Sequence, residues 1–342
     1  MIRIKTQEGL TFDDVILEPR KSSFGSRFSG GVDLSVEILP NINLKYPIIS
    51  ANMDTVTGSK MSNVMRELGG LGIIHRFLDE DDHKAQLEKT FDGGHVILCV
   101  GVGNDKDELL SNYAHNFDGV LIDIAHGHSD LMIDKIKRVK SITPDLPIIA
   151  GNVATAAGAE ELVEAGASCI KVGVGPGSLC TTRIKTGCGV PQLSAIVEIE
   201  QAIRGTATLI ADGGIRHSGD IIKALAAGAD AVMVGRMFAG TDEAPGEVMN
   251  FPGQGKIKVY RGMASKEAQE SWKGKATSIE GEIAWVSYKG RMADVFNDII
   301  SGMKSGMSYQ NAHNIIELRE NAVFIRQTPA GIVEAKPHAL IK

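Results

Sequence analysis

The sequence predicts an α/β fold, a (β/α)8 or TIM barrel with a mobile flap after its eighth strand. Short apolar runs alternate with helix-patterned segments along most of the 342 residues. Most of these runs are apolar on both faces, as buried parallel strands are. A doubly wound open sheet is the alternative, but it places a dinucleotide-binding glycine fingerprint after its first strand, where this sequence has none. The predicted strands are 47–51, 71–75, 96–101, 119–124, 147–151, 169–172, 208–211 and 231–234.

Helical periodicity fills the intervals between the predicted strands. Ser218 and Gly228 suit the two ends of one such helix, because a hydroxyl caps a helix start and glycine follows a helix end. Eight β-then-α units account for most of the chain, so the sequence predicts one barrel catalytic domain over residues 1–342. The clearest helical segments are 60–68, 131–141, 157–165 and 219–227.

The pattern changes after the eighth predicted strand. Residues 246–260 predict a strand excursion, and 293–303 and 309–317 predict two closing helices. Between them, a polar stretch at about 264–287 predicts a segment that moves near the active site, since lids are drawn from weakly packed regions. This stretch is called the flap below.

Composition excludes several classes of protein. The net charge of −6 gives no sign of the excess of basic residues that is typical of nucleic-acid-binding proteins. No apolar run reaches the roughly 18 residues that span a membrane, and the first residues lack an apolar signal core. The four cysteines have irregular spacing, which suits neither a disulfide scaffold nor a zinc site. These observations predict a cytoplasmic protein with reduced cysteines and no membrane partner.

Polar and glycine residues follow most of the predicted strands. In a barrel of this class the active site lies at the carboxyl ends of the strands, so these residues predict its position. They are Ser50, Asn52, Asp54, His75, Arg76, Asp123, Asn152, Cys180, Asp212 and Gly235.

A glycine-rich loop after the sixth predicted strand carries the clearest chemical signal. Residues 172–183 read VGVGPGSLCTTR and present Cys180 among backbone amides, a setting that lowers the pKa of a thiol and activates it as a nucleophile. Cys99 and Cys169 lie inside apolar strands and are expected to pack as small hydrophobes, while the role of Cys188 stays open. The carbonyl groups of the same loop are an alternative site for a monovalent cation.

Two glycine signals follow the seventh and eighth predicted strands. Asp212, Gly213 and Gly214 follow one, and Gly235 and Arg236 follow the other. Barrel enzymes often bind phosphate there, although tight β-to-α turns also require glycine. With phosphate on the amides, Asp212 is available to bind a ribose hydroxyl.

Three further side chains have two interpretations each. His126 and His128 could bind a metal, but no third ligand has suitable spacing, so solvent-facing histidines are favoured. Glu280 follows the polar stretch beside a glycine, and it is either a general acid or base or a solvated glutamate.

The loop around Cys180 resembles the active-site loop of the IMP dehydrogenase and GMP reductase family. The resemblance covers nearly the whole chain and implies a (β/α)8 barrel, usually a homotetramer, with a purine nucleotide over the cysteine. Supporting motifs are 10–15 (LTFDDV), 51–56 (ANMDTV), 151–153 (GNV), 211–215 (ADGGI), 260–263 (YRGM) and 288–290 (YKG).

The resemblance implies roles for individual residues. Cys180 would attack purine C2, with Thr182 and Glu280 as its catalytic partners. Potassium would be held by Gly175, Gly177 and Cys180. The substrate-binding residues would be Ser178, Asp212, Gly213, Gly214, Gly235, Arg236, Gly262, Met263, Ala264 and Gly281. The nicotinamide cofactor would meet Ser26, Arg27, Arg76, Asp123, Ile124, Ala125, Val174 and Gly175.

The two branches of this family share a covalent thioimidate between the cysteine and C2. A dehydrogenase hydrolyses it with water activated by an Arg-Tyr pair on a long flap, whereas residues 264–279 here are short and hold neither residue type. Residues 77–95 leave no room for the regulatory modules that dehydrogenases often insert, and 184–187 look like reductases. Residues 72–76, 211–240 and the tail look closer to dehydrogenases.

Because the flap carries the chemistry that separates the branches, the resemblance implies a GMP reductase of purine salvage that uses NADPH. In that reading Glu280 protonates the departing amine, directly or through the Thr182 hydroxyl. The alternative is an IMP dehydrogenase without regulatory modules, which converts IMP, NAD and water to XMP. An inactive nucleotide-binding paralogue and a flavin-using barrel are alternatives of other classes.

Overall fold

The computed structural model describes residues 4–25, 31–90, 94–104, 106–253 and 255–337. Three short strands precede the barrel: β1 (Val15–Leu17), β2 (Val36–Leu39) and β3 (Ile42–Leu44). The barrel strands are β4 (Ile48–Ser50), β5 (Leu71–Gly72), β6 (Ile97–Val100), β7 (Gly119–Asp123), β8 (Ile148–Val153), β9 (Cys169–Val172), β10 (Thr208–Asp212) and β11 (Ala231–Val234). Four strands follow: β12 (Met249–Phe251), β13 (Gly255–Arg261), β14 (Ile283–Ser287) and β15 (Phe324–Arg326).

Helices alternate with the barrel strands and then close the chain. Those up to the eighth barrel strand are α1 (Ser59–Glu67), α2 (Glu80–Glu88), α3 (Asp107–Tyr113), α4 (Asp130–Ile142), α5 (Ala156–Glu164), α6 (Thr182–Thr186), α7 (Gln192–Ile203) and α8 (Ser218–Ala226). Those after it are α9 (Lys266–Lys273), α10 (Met292–Tyr309), α11 (Ile315–Asn321) and α12 (Pro329–Glu334).

The eight-stranded sheet curls on itself. Its strand order is β5-β4-β11-β10-β9-β8-β7-β6, and every pair is parallel. The last strand pairs with the first, with Val232 opposite Ile48 and Val234 opposite Ser50. Since the barrel strands other than the pair β5 and β6 are hydrogen-bonded to the next strand in sequence, and the last strand pairs with the first, the predicted barrel is confirmed.

Burial in the core of the barrel explains why its strands could be predicted from the sequence. All four residues of β6, β9 and β11 are buried, because helices cover one face of the sheet and the barrel interior covers the other. Each strand therefore appears as a continuous apolar run. The exception is Lys171 in the middle of β9, whose side chain belongs to the site described below.

Helix α8 begins one residue earlier than predicted, where Ser218 was expected to be the cap. Ser218 is its first helical residue, and His217 holds the capping position instead. The cause is Asp220, whose carboxylate accepts the backbone N–H groups of Arg216 and His217 at 2.9 and 3.1 Å. Gly228 lies beyond the helix end with φ of +115°, as predicted for a helix terminator.

The closing helices are present with one shifted boundary. Helix α10 continues to Tyr309, and α11 begins at Ile315 rather than at 309. Asn314 sets this start, because its side chain accepts the backbone N–H of Glu317. The chain then returns to its beginning, where β15 pairs antiparallel with β1.

The flap contains regular structure. Its first half includes α9, which is capped by Ser265 accepting the backbone N–H of Ala268. Its second half includes β14, which pairs antiparallel with β13 so that Trp285 lies opposite Val259. Exposed and half-buried residues alternate along β14, as they do in an antiparallel strand with one face toward solvent. The mobility of the flap stays a prediction.

Within the described part of the chain, no helix combines the length and the apolar character needed to cross a bilayer.

Candidate active site

A cavity of about 710 Å³ opens at the carboxyl ends of the barrel strands. Its volume is typical of a small-molecule site. Of the predicted site residues within the described ranges, Val174 alone does not line it; Ser26 and Arg27 lie outside those ranges. The predicted residues that line it are Arg76, Asp123, Ile124, Ala125, Gly175, Gly177, Ser178, Cys180, Thr182, Asp212, Gly213, Gly214, Gly235, Arg236, Gly262, Met263, Ala264, Glu280 and Gly281.

Cys180 begins a chain of hydrogen bonds that we call the Cys180 relay. Its Sγ lies 3.1 Å from Thr182 Oγ1 and donates to it. Thr182 Oγ1 in turn donates to Glu280 Oε2 at 2.7 Å. A proton on the thiol can therefore pass through the hydroxyl to the carboxylate, which is the geometry of an activated nucleophile with its base.

Backbone pairing delivers Glu280 to this relay. The flap end at 280–282 pairs with the cysteine loop, since Thr181 N donates to Glu280 O and Glu282 N donates to Leu179 O, both at 2.9 Å. On its other side, Glu280 N donates to Ala264 O at 3.1 Å. Glu280 is thus held against Thr182 rather than free in solvent, and its role as a general acid or base stays a prediction.

The other three cysteines have no part in the cavity lining. Cys99 and Cys169 are fully buried, and burial raises the pKa of the Cys99 thiol to about 12 and that of Cys169 further still. Cys188 is exposed, and its Sγ lies 3.6 Å from the carbonyl oxygen of Thr186. All four cysteines lie in described ranges, and Cys180 is the one whose thiol lines the cavity.

A buried ammonium group joins two carboxylates below the cavity floor, and we call this group the Lys171 triad. Lys171 Nζ lies 2.8 Å from Asp123 Oδ1 and 2.6 Å from Asp212 Oδ2. Burial alone would raise the pKa of Asp123, but the Lys171 ammonium holds it below its usual value. Burial likewise disfavours charge on Lys171, yet the two carboxylates raise its pKa well above the usual value. Asp123 and Lys171 are therefore charged at neutral pH.

Amide side chains complete the orientation of the two carboxylates. Asn52 Nδ2 donates to Asp123 Oδ2 at 2.9 Å, and Asn152 Nδ2 donates to Asp212 Oδ2 at 3.0 Å. Sequence reasoning named Asp123 and Asp212 but missed Lys171. The signal was a lone cation inside an otherwise apolar buried strand, which is costly unless the cation is paired.

The glycines after β10 and β11, Gly213, Gly214 and Gly235, line another part of the cavity. Gly213 and Gly214 have φ of +92° and +82°, so tight turns do require glycine there. Gly235 has a different reason, because a Cβ on it would lie 2.8 Å from the hydroxyl oxygen of Tyr260. The phenol of Tyr260, which burial gives a raised pKa, also hydrogen-bonds Ser178 and was missed by sequence reasoning.

The two loop histidines are remote from these glycines. His126 is exposed, and His128 Nε2 lies 3.1 Å from Glu161 Oε2. Across the described ranges no group of three His, Cys, Asp or Glu side chains is arranged to hold a metal ion. Potassium would use loop carbonyls instead, so the potassium site at Gly175, Gly177 and Cys180 stays a prediction.

Beyond Asp123 the cavity continues toward Arg76. Arg76 Nε donates to the carbonyl oxygen of Asp123 at 3.0 Å. The Arg76 guanidinium lies 4.3 Å from the centroid of Phe77 and 5.7 Å from that of Trp272 on α9. Cys180 and Arg76 therefore mark two arms of one cavity, with Asp123 between them.

The profile of the IMP dehydrogenase / GMP reductase domain matches residues 9–338 of the chain. The chain belongs to this family. Its fold is also similar to that of a solved GMP reductase from Trypanosoma brucei in complex with guanosine 5′-monophosphate, with a TM-score of 0.90, 30% identity and 98% of each chain covered.

Similar curated proteins of the IMP dehydrogenase / GMP reductase family are named as IMP dehydrogenases. The inosine-5′-monophosphate dehydrogenase of Borreliella burgdorferi is 36% identical, with 97% of each sequence covered. That of Bacillus subtilis is 33% identical and covers 97% of this chain and 96% of its own length. Family membership makes the chain an oxidoreductase that acts on a purine nucleotide, and both branches remain represented among its relatives.

Proposed function

We propose that the chain is a GMP reductase, which converts GMP and NADPH to IMP, ammonia and NADP. The observation that carries this proposal is the Cys180 relay joined to a flap without water-activating residues. Thr182 and Glu280 are in hydrogen-bond contact, whereas residues 264–279 contain no arginine and no tyrosine. A carboxylate relay can protonate a leaving amine, but hydrolysis needs a second group that activates water.

Three arginines around the site are held by other groups. The Arg261 guanidinium is paired with Asp54, and Arg183 donates to the carbonyl oxygens of Val174 and Val190. Arg76 lies on the other arm of the cavity, stacked on Phe77. These three guanidinium groups are thus engaged away from the thiol, which favours expulsion of ammonia over attack by water.

Cys180 is the nucleophile of the proposed mechanism. Its proton passes through Thr182 to Glu280, and the thiolate adds to C2 of GMP. Glu280 then returns a proton, through Thr182 or directly, to the exocyclic amine, so that the C2–N bond breaks and ammonia leaves a thioimidate on Cys180. When bound, NADPH supplies the hydride that C2 accepts. Breaking the C2–S bond releases IMP and restores the Cys180 thiolate, which takes up a proton.

The other wall residues position the substrates. We assign the ribose of GMP to Asp212, whose carboxylate is held in place by Lys171 and Asn152. The phosphate belongs with Ser178, Gly214, Gly235 and Arg236, and the base with Met263 and Gly281. The cofactor arm fits a planar anionic group, because aromatic rings and a guanidinium line it beyond Asp123. Potassium on the loop carbonyls would stiffen the segment that carries Cys180.

IMP dehydrogenase is the second candidate, because the similar curated proteins named above are dehydrogenases. The deciding experiment follows absorbance of the reduced nicotinamide with GMP plus NADPH and with IMP plus NAD. Loss of absorbance with GMP, together with one ammonia per turnover, supports the reductase. A rise in absorbance with IMP plus NAD, without any loss of absorbance with GMP plus NADPH, overturns the proposal.

A further inference from the structure

Gln269 on α9 is a buried polar residue of the cavity lining that the proposed mechanism leaves unused. Its side chain is 5% exposed. Its Nε2 donates to the carbonyl oxygens of Ala264 at 3.1 Å and Ser278 at 3.4 Å, and its Oε1 accepts the backbone N–H of Thr277 at 2.9 Å. One side chain thus joins the first end of the flap to the segment that precedes Glu280. We call these three hydrogen bonds the Gln269 clasp.

The Gln269 clasp holds a segment that has little other support. In the part of the chain that the structure describes, no residue except Gln269 is hydrogen-bonded to 275–279. Within this segment Ser278 has φ of +49°, a left-handed conformation that a serine keeps only where its surroundings hold it. Without the clasp, this segment is expected to move away from α9.

The clasped segment lies between the nucleophile and bulk water. Thr277 and Ser278 are exposed to solvent, yet both also line the cavity. Three residues after Ser278, Gly281 forms a β-bridge with Cys180. The wall beside the reacting thiol therefore includes residues 277–279, and its closure depends on the side chain of Gln269.

In the proposed reaction, the thioimidate on Cys180 is open to two reagents after ammonia has left. Hydride from NADPH gives IMP. Water would instead add to C2, and the C2–S bond would break to release XMP, with one water proton on the adjacent ring nitrogen and the other on Cys180. This second route transfers no electrons and consumes no NADPH. Residues 264–279 hold no arginine or tyrosine to speed it, but closure of a site is what protects a reactive intermediate from hydrolysis.

We propose that Gln269 is a positioning residue that keeps water from the thioimidate by holding 277–279 closed until hydride has been transferred. An amide side chain suits this task because it donates and accepts hydrogen bonds at the same time. This inference rests on the proposed reductase reaction, and it assigns to Gln269 the choice between reduction and hydrolysis of the adduct.

The ratio of products tests this role. Ammonia, XMP and NADPH oxidation are measured in one sample with saturating GMP and NADPH, and the parent is expected to release one ammonia per NADPH. Gln269→Met keeps the size of the side chain but removes all three hydrogen bonds. It is expected to raise XMP per NADPH oxidised by at least about tenfold, the effect of losing two hydrogen bonds from the closed state. NADPH deuterated at the transferred position should raise XMP further, because it slows hydride transfer.

Matched variants separate the clasp from general effects on the flap. Thr277→Pro removes from the other side the N–H that Gln269 Oε1 accepts, at an exposed position, and is expected to raise XMP in the same direction. It serves if Gln269→Met does not fold. Glu267→Met is the control, because this exposed residue lies on the same helix and outside the cavity lining. Its product ratio is expected to match that of the parent.

Two results would overturn the inference. One is an unchanged product ratio in the folded variants of Gln269 and Thr277, even with a lower kcat, since the clasp would then only support the flap. The other is an equal rise of XMP in Glu267→Met. A parent protein that does not oxidise NADPH with GMP is a different outcome, which would refute the proposed reaction and this inference with it.

Discussion

The Lys171 triad and the Cys180 relay are both chains of three hydrogen-bonded side chains, but different parts of the molecule hold them. The triad stands on β7, β9 and β10, and its lysine is buried between two fixed carboxylates. The relay stands on a loop, the first turn of α6 and the flap. In the proposed mechanism the barrel thus fixes groups that bind the substrate, whereas the flap brings the group that protonates the amine leaving C2.

The largest expected effect comes from the nucleophile of the relay. Cys180→Ala should lower kcat by more than about 10⁴-fold, since loss of a catalytic nucleophile leaves only binding and positioning. Isothermal titration calorimetry should still detect binding of GMP, because the Lys171 triad and the glycines after β10 and β11 are intact. Cys188→Ala, at an exposed cysteine outside the cavity, is the control and should keep normal turnover. Turnover by the Cys180 variant within tenfold of the parent would refute covalent catalysis.

The next effect tests the flap side of the relay. Glu280→Gln should lower kcat for ammonia release by about 10²–10⁴-fold, the contribution of a positioned general acid. Alkylation of Cys180 by iodoacetamide should continue, because the thiol remains exposed to the cavity. Glu282→Gln, two residues along the same paired segment and exposed, should change neither quantity. Normal ammonia release from the Glu280 variant would remove this residue from the mechanism.

The triad should respond in stability as well as in activity. Lys171→Met leaves two carboxylates facing each other without their cation, and breaking a buried pair in this way costs about 3–5 kcal/mol. The free energy of unfolding in urea measures this loss. Lys137→Met, at an exposed helical position, should change it by less than about 0.5 kcal/mol. Equal stabilities of the two variants would show that the triad is not a structural anchor.

The last prediction concerns pH and two buried histidines outside both regions. Burial lowers the pKa of His75 to about 4 and that of His83 to about 3, from an ordinary value of 6.5. Both are neutral in the folded state, while the unfolded chain binds protons below pH 6.5. Stability is therefore expected to fall as pH drops from 6.5 toward 4, by up to about 1.4 kcal/mol per pH unit for each histidine.

Denaturant unfolding at a series of pH values measures this slope. His83→Leu, which replaces a side chain whose two ring nitrogens have no partner, should flatten it. Below the ordinary Asp value of 3.8, the depressed pKa of Asp123 adds a loss of its own as the triad protonates. A parent protein with constant stability between pH 6.5 and 4 would contradict the neutral burial of both histidines.

The same two regions show what the sequence could predict. The barrel strands were predicted because burial on both faces forces apolar runs, and the glycine loop was predicted because few arrangements present a cysteine among amides. Lys171 was missed because its partners lie on strands about 40 residues away on either side. Trp272 was missed for a related reason, since its contact with Arg76 exists only when α9 packs over the loop after β5.

Backbone pairing on both sides of the flap has a consequence for engineering. The flap is anchored at 262–264 and again at 280–282, where main-chain hydrogen bonds tie it to the cysteine loop. Main-chain bonds do not depend on side-chain identity, so residues 265–279 form an exchangeable cassette between two fixed ends. A longer cassette that carries an Arg-Tyr pair can be grafted there while Glu280 keeps its place, which would turn one barrel into a scaffold for comparing two fates of the same covalent adduct.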